Sequence, residues 1–176
     1  MKIKGLIHVY TGEGKGKTTA SVGLAVRARG HNLKVCFIYF HKNTDKWIHG
    51  EHEVLEKIGV DVFGFAKQSI CLENKFDADE VREECLKGIA FIKKMFKEKK
   101  YDLIVLDEIN ISYKKGFLTE QEILDILDFK PEELELVLTG RGAGEKIIEK
   151  ADLVSFIKKI KHPYELHVKR RKGIEY

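Results

Sequence analysis

Cysteine is scarce in this sequence, and its scarcity excludes two classes of protein. Only three cysteines occur among 176 residues, and no two of them have a Cys-x-x-Cys spacing. Such an odd, scattered set argues against a disulfide framework and against a cysteine zinc site. Cys36 lies in a strand-like run and Cys85 on the apolar face of a helical pattern, so both are expected to fill the core. Cys71 falls in a predicted loop and has no obvious histidine partner.

The sequence also contains no long apolar run, no signal-peptide pattern and no proline-rich linker. No apolar run is long enough to cross a membrane, and residues 1–4 lead directly into a strand pattern instead of a signal peptide. The chain has two prolines, no repeat and no low-complexity stretch. These features predict a cytoplasmic protein without a membrane partner, and one domain over residues 1–176 with a sizeable core.

The excess of positive charge is small, because 32 lysines and arginines face 28 aspartates and glutamates, a net charge of +4. Basic residues cluster at 93–100, 158–161 and 169–172. They form either solvated faces or a nucleic-acid surface. The clusters lack the interleaved aromatic residues typical of single-strand binding, so the sequence favours solvated faces and predicts no nucleic-acid partner.

The strongest motif is a glycine-rich stretch near the start of the chain. An apolar run precedes it and a helix-like run follows it, which is the setting in which backbone N–H groups wrap phosphate. Lys17 would place its ammonium on phosphate oxygens, and Thr18 or Thr19 would offer a hydroxyl to Mg²⁺. The alternative is an ordinary glycine-rich turn, because the pattern G-x-x-x-x-G-K-[ST] has glycine where this chain has threonine. The predicted phosphate-binding residues are Thr11, Gly12, Glu13, Gly14, Lys15, Gly16, Lys17, Thr18 and Thr19.

Two carboxylates follow an apolar run at residues 103–108 and form the second motif. A buried strand would bring Asp107 and Glu108 to the carboxyl edge of the sheet, beside the glycine-rich loop. One carboxylate would hold Mg²⁺ and the other would orient water or a hydroxyl. The alternative is a strand that merely ends in acidic residues. The phosphate loop roughly ninety residues upstream favours a magnesium–nucleotide site.

Two further clusters leave alternatives open. A second glycine-rich turn at residues 139–144 carries Arg141, which is either an anion ligand or a surface arginine. The helical segment at 47–58 carries His49, Glu51, His52 and Glu53, and a solvated face is favoured there over a metal site.

Strand-like and helix-like runs alternate along the chain. This order predicts an α/β fold of the P-loop NTPase type (RecA-like), a mainly parallel sheet covered by helices on both faces. A long helix capped by Asp77 or Asp79 is expected to about residue 99. Loops are expected at 66–74 and 109–118, and a basic, extended tail at 161–176.

The chain resembles the P-loop type ATP:corrinoid adenosyltransferases over nearly its whole length. The threonine in the first P-loop position and the turn Thr139-Gly140-Arg141-Gly142 look specific to that family. The other matching pieces are Ala28-Arg29-Gly30-His31, Val105-Leu106-Asp107-Glu108, Phe117-Leu118, Ala151-Asp152, Lys161-His162 and Gly173-Ile174-Glu175-Tyr176.

The resemblance implies that a Co(I) corrinoid attacks C5′ of ATP and expels triphosphate. It implies ATP and Mg²⁺ as cofactors, ATP bound with its triphosphate reversed in the loop, a homodimer, and a reductase or flavodoxin-type electron donor. It implies catalytic roles for Lys17, Glu108 and Arg141, magnesium ligands at Thr18, Asp107 and Glu108, and corrinoid-side positions at Phe40, Lys42 and Phe65.

Three departures from the family pattern bear on the corrinoid. Relatives carry an N-terminal extension before the first strand, whereas the first strand is expected almost at Met1 here, and the surroundings of Phe40 and Lys42 differ. Gly64-Phe65-Ala66-Lys67 also stands where relatives have Gly-Phe-x-Trp. We therefore expect poor handling of base-on cobalamin. Two alternatives to the transferase stay open: a P-loop ATPase or nucleoside kinase-like phosphotransferase, and a non-catalytic nucleotide-binding regulator.

Overall fold

The computed structural model describes residues 4–42, 49–67, 76–166 and 168–175. Its centre is a six-stranded sheet in which all neighbouring strands pair parallel, in the order β3-β2-β4-β5-β1-β6. The strands are β1 (Ile7–Thr11), β2 (Val35–Phe40), β3 (Asp61–Phe65), β4 (Leu103–Asp107), β5 (Glu135–Thr139) and β6 (Leu153–Phe156).

Helices cover both faces of this sheet. They are α1 (Lys17–Gly30), α2 (Gly50–Lys57), α3 (Ala78–Glu98), α4 (Ile109–Lys114), α5 (Glu120–Phe129) and α6 (Glu145–Lys150), with a 3₁₀ turn at Pro163–Leu166. One apolar cluster lies between the sheet and α1 and α2, and a larger one between the sheet and α3 to α6. Strands β2 and β4 are buried along their whole length, as central strands covered on both faces should be. The expected fold class is confirmed.

Polar side chains cap the first turns of α3 and α5. The Asp77 carboxylate accepts from the N–H groups of Asp79 and Glu80 at 2.9 and 3.2 Å, so Asp77, of the two candidates, caps α3. At α5 the Thr119 hydroxyl and the Glu122 carboxylate form a reciprocal capping box. Both caps could be predicted from the sequence, because a helix cap is formed by residues that are close together in the chain.

Two segments that were predicted to be a loop or an extended tail contain helix or turns instead. Residues 109–114 form α4 rather than a loop, because Glu108 adopts a left-handed conformation (φ 63°) that turns the chain directly from β4 into a helix. The 161–176 segment is not simply extended, since it contains the 3₁₀ turn and a further turn at 172–175. The start of the expected helix at 47–58, most of the expected 66–74 loop and Cys71 lie outside the described residues.

The strand order sets the position of the candidate site. Strand β5 separates β1 from β4, so the glycine-rich loop after β1 and the acidic pair after β4 leave the sheet two strands apart. Helix α1 starts at the end of the glycine-rich loop and closes this gap, since Thr18 in its first turn reaches Asp107. No helix among the described residues is long and apolar enough to span a membrane.

Candidate active site

The glycine-rich loop curls around the ammonium group of Lys17. This buried ammonium donates to the carbonyls of Gly12 and Gly14 at 2.8 and 2.6 Å. Gly12 and Gly16 have φ values of +101° and +123°, which residues with a side chain rarely adopt. Burial lowers the pKa of Lys17. The loop therefore has the backbone shape expected of a phosphate cradle, with a lysine at its centre.

The residues that follow β6 pack against this loop. The Gly14 N–H donates to the Ile157 carbonyl at 2.8 Å. A Cβ on Gly12 would lie 2.5 Å from the Ile157 carbonyl oxygen, and one on Gly14 would lie 2.8 Å from the carbonyl oxygens of Ile157 and Lys158. Both positions consequently require glycine for reasons of space, and Gly12 also for its backbone angle.

We expect Gly12→Ala to abolish nucleotide binding and to lower the free energy of unfolding by about 2 kcal/mol or more, from left-handed strain and the clash with Ile157. Gly23→Ala in α1 is the matched control. Its Cβ would have no neighbour within 4 Å, so alanine should stabilise the helix by about 0.5–1 kcal/mol. Urea unfolding and titration with a fluorescent ATP analogue check both variants. Full binding by Gly12→Ala would contradict this account of the loop.

Asp107 is the centre of a buried polar cluster at the carboxyl ends of β2, β4 and β5, where the first turn of α1 meets them. Its Oδ1 accepts from the hydroxyls of Thr18 and Thr139 at 2.9 and 2.7 Å, and its Oδ2 lies 2.7 Å from the Lys42 ammonium. The Thr139 hydroxyl in turn accepts from the N–H of Glu108 at 3.0 Å. The structure thus brings together the predicted Thr18 and Asp107, and adds Thr139 and Lys42 to them.

Charge within the cluster is balanced locally. Burial alone would lower the pKa of Lys42, but Asp107 and Glu51 outweigh it and raise that pKa above its ordinary value. The side chain of Lys42 is 11% exposed and that of Asp107 is fully buried. The pair is therefore shielded from solvent, and removal of either charge would leave the other buried without its partner.

Glu108 follows Asp107 in the chain, and its carboxylate has fewer hydrogen-bond partners than that of Asp107. Its Oε2 is buried without a hydrogen-bond partner among the described residues. Burial, and then the charge of Asp107, raise the pKa of Glu108. Gly140 (φ +123°) allows the carboxylate to approach, because a Cβ there would lie 3.2 Å from Oε2.

The groups in this cluster that could coordinate a cation are oxygens, which suits a hard cation such as Mg²⁺. The Thr18 hydroxyl, the Asp107 carboxylate and the uncommitted oxygen of Glu108 are the available ligands. Among the described residues no group of three or more histidine, cysteine or acidic side chains could hold a metal by itself. Magnesium would accordingly need phosphate or water oxygens to complete its coordination.

The second glycine-rich turn lies at the rim of the phosphate loop. Arg141 is half exposed, and its Nη1 lies 3.4 Å from a carboxylate oxygen of Glu13. Lys114 binds the other oxygen of Glu13 at 3.1 Å and is the main reason why the pKa of Glu13 is lowered. The Thr11 hydroxyl accepts from the N–H of Ala143 at 3.4 Å. Threonine at the first P-loop position therefore joins the two turns, which glycine would not do.

Comparison with known proteins identifies the family. The family model described as ATP:corrinoid adenosyltransferase BtuR/CobO/CobP matches residues 3–176. The chain belongs to this family. The corrinoid adenosyltransferases of Escherichia coli (strain K12) and Salmonella typhimurium are each 35% identical over 98% of this chain and 86% of their own length. The corrinoid adenosyltransferase of Pseudomonas aeruginosa is 30% identical over 98% of this chain and 84% of its length.

A solved structure supports the fold independently. The KaiC-like protein PH0186 from Pyrococcus horikoshii OT3 superposes with a TM-score of 0.55, covering 98% of this chain and 76% of that one. Its sequence identity is 16%, so the likeness concerns the fold alone.

The residues expected on the corrinoid side of this adenosyltransferase-family site occupy different depths. Phe40 is fully buried and packs on Phe65, with ring centroids 6.1 Å apart, so it supports Phe65 from below rather than reaching the surface. Phe65 itself is partly buried at the end of β3. Lys42 points to Asp107, inside the predicted magnesium cluster. Direct corrinoid contact by these three side chains stays a prediction.

Helix α2 differs most from its interpretation as a solvated face. His49 and His52 are buried, and the ring of His52 stacks on Tyr39 with centroids 4.2 Å apart. Glu51 lies 3.4 Å from the Lys42 ammonium. The helix packs on β2 and supports the cluster around Asp107. One signal could have shown the contact between Lys42 and Asp107. Lys42 follows an apolar strand and Asp107 ends one, and neighbouring parallel strands end at the same edge of a sheet.

Proposed function

We propose that this chain transfers the 5′-deoxyadenosyl group of ATP to the cobalt of a reduced Co(I) corrinoid and releases inorganic triphosphate. The cobalt electron pair forms the bond to C5′, while the bond between C5′ and the triphosphate oxygen breaks and leaves its electrons on triphosphate. The observation that carries the proposal is the hydrogen bond of 2.9 Å from Thr18 to Asp107, which joins phosphate loop and acidic strand in a member of this family.

The site residues have the charges that such a reaction requires. A cobalt nucleophile needs no general base, so the protein must align ATP and stabilise the negative charge of the leaving triphosphate. The loop N–H groups, the Lys17 ammonium and Arg141 would supply positive charge there. Bound Mg²⁺, held by Thr18 with Asp107 or Glu108, would neutralise further charge on the phosphates.

The site geometry by itself also suits the two alternatives, a phosphotransferase and a nucleotide-binding regulator. Membership of the adenosyltransferase family does not favour either of them. Reaction products separate the three functions, because the transferase releases triphosphate, a phosphotransferase releases ADP, and a regulator releases neither.

The decisive experiment is an anaerobic assay of the purified protein with ATP, Mg²⁺ and chemically reduced Co(I) corrinoid. We expect loss of the Co(I) absorbance, formation of a light-sensitive adenosylcorrinoid, and one triphosphate for each corrinoid converted. Release of ADP instead, or binding of ATP without turnover, would contradict the proposed function.

Lys67 bears on which corrinoid is used. It is exposed two residues beyond Phe65, where the resemblance places a tryptophan that helps displace the lower ligand of cobalamin. We propose that cobinamide, which lacks that ligand, is converted faster than cobalamin. Lys67→Trp should then raise cobalamin turnover and leave cobinamide turnover nearly unchanged. Equal rates with the two corrinoids in the wild-type protein would contradict this proposal.

The remaining expectations are proposals as well. Length and composition support one nucleotide-binding domain over residues 1–176. The family resemblance supports a homodimer and a reductase or flavodoxin-type protein as electron donor. Sedimentation of the purified protein tests the oligomeric state. Replacement of the chemical reductant by a reduced flavodoxin tests the donor.

A further inference from the structure

The turn at residues 171–175 lies on the phosphate loop, although more than 150 residues separate the two in the chain. The Lys15 ammonium donates to the Ile174 carbonyl at 2.9 Å and to the Glu175 carboxylate at 3.0 Å. Glu175 belongs to the Gly-Ile-Glu-Tyr stretch, for which the reaction described above has no use. These contacts join that stretch to Lys15 of the phosphate loop.

The turn holds Glu175 firmly. Its backbone closes through a hydrogen bond of 2.9 Å from the Glu175 N–H to the Arg171 carbonyl, with Gly173 at φ +78°. The Arg171 guanidinium binds both carboxylate oxygens of Glu175, at 2.9 and 3.2 Å. The Glu175 side chain is 19% exposed, and its two bonds to Arg171 orient the carboxylate towards Lys15 before any ligand arrives.

Among residues 14–16 of the loop, Lys15 alone has a side chain that can reach another part of the chain. Its neighbours Gly14 and Gly16 have none, and a Cβ on Gly16 would have no neighbour within 4 Å. The Gly14 N–H is fixed by Ile157 on one side. The bond from Lys17 holds the loop at the Gly14 carbonyl, and the contact from Lys15 adds a second side-chain restraint just before Gly16 and α1.

We propose that Glu175 is a positioning residue for the phosphate loop and acts through Lys15. The pair keeps residues 14–16 in the conformation that receives the triphosphate. The proposal rests on the nucleotide site of the proposed function, although not on the corrinoid reaction. A loop ordered in advance binds ATP with less loss of conformational entropy, so the contribution belongs to ATP affinity.

The test is direct titration of the full-length protein with a fluorescent ATP analogue, in the absence of corrinoid. For Glu175→Gln we expect a Kd up to about fivefold higher, as suits a partly exposed ion pair. In the adenosylation assay KM for ATP should rise by the same factor with kcat retained. Glu165→Gln is the matched control, because Glu165 pairs with Lys159 in the same segment and not with the loop. That variant should bind as the wild type does.

A double mutant separates positioning from general stabilisation. If Glu175 acts through Lys15, then Lys15→Met/Glu175→Gln binds ATP no more weakly than Lys15→Met alone. Wild-type affinity in Glu175→Gln, additive losses in the double mutant, or an equal loss in Glu165→Gln would each overturn the proposal. A wild-type protein that binds ATP but does not adenosylate a corrinoid would overturn the proposed function and not this one.

Discussion

Lys17→Ala is expected to lower the rate of adenosylation by about 10²–10³-fold and to abolish measurable binding of ATP. The variant removes the ammonium at the centre of the loop, together with its bonds to the Gly12 and Gly14 carbonyls. The variant therefore loses the charge proposed to face the triphosphate and the bonds that curl the loop. Anaerobic corrinoid assays and titration with the ATP analogue measure the two effects.

Two further variants test whether the effect of Lys17→Ala comes from the loss of charge at this position. Lys17→Met keeps much of the side-chain volume without the charge and should lose activity nearly as fully as alanine. Lys97→Ala, on the exposed side of α3, should behave as the wild type does in both measurements. Wild-type activity in Lys17→Ala would show that the nucleotide site has been placed wrongly.

Asp107→Asn is expected to lower the free energy of unfolding by about 3 kcal/mol, the cost of leaving a buried charge without its partner. The Lys42 ammonium is 11% exposed and has Asp107 as its nearer counter-charge, at 2.7 Å against 3.4 Å for Glu51. Asparagine has nearly the same shape and keeps one oxygen for the threonine hydroxyls, so the loss reports charge rather than packing. Urea unfolding measures it.

A double mutant assigns that loss to the ion pair. Lys42→Met/Asp107→Asn removes both charges and should recover at least half of the lost stability. Glu53→Gln, on the exposed side of α2, should change the free energy of unfolding by less than about 0.5 kcal/mol. If the double mutant is less stable than Asp107→Asn alone, the buried pair does not explain the effect.

The parts of the site that could be predicted are those formed by neighbours in the chain. Residues 11–19 and 103–108 were assigned correctly to a strand–loop–helix unit and to a strand that ends in two carboxylates. Alternating apolar runs also predicted the parallel sheet and its two helical layers. Such patterns can be recognised in a sequence because a few consecutive residues determine the burial of each strand and the shape of a glycine-rich loop.

Other parts could not be read from the sequence, because they depend on residues that only folding brings together. Helix α4 was expected to be a loop, since its short, partly polar sequence has no clear apolar period. The burial of His52 was missed because it follows from packing of α2 against β2. The contact between Lys42 and Asp107 was missed because it joins residues at the carboxyl ends of two different strands.

The sequence by itself determined the fold class, the family and the position of the phosphate loop. The tertiary structure alone decided the strand order, the pairing of Lys42 with Asp107 and the contact between Glu175 and Lys15. The physical reason lies in the range of the interactions. Backbone conformation and apolar periodicity are local, whereas an ion pair between residues 160 positions apart forms only after the sheet has fixed the distance between them.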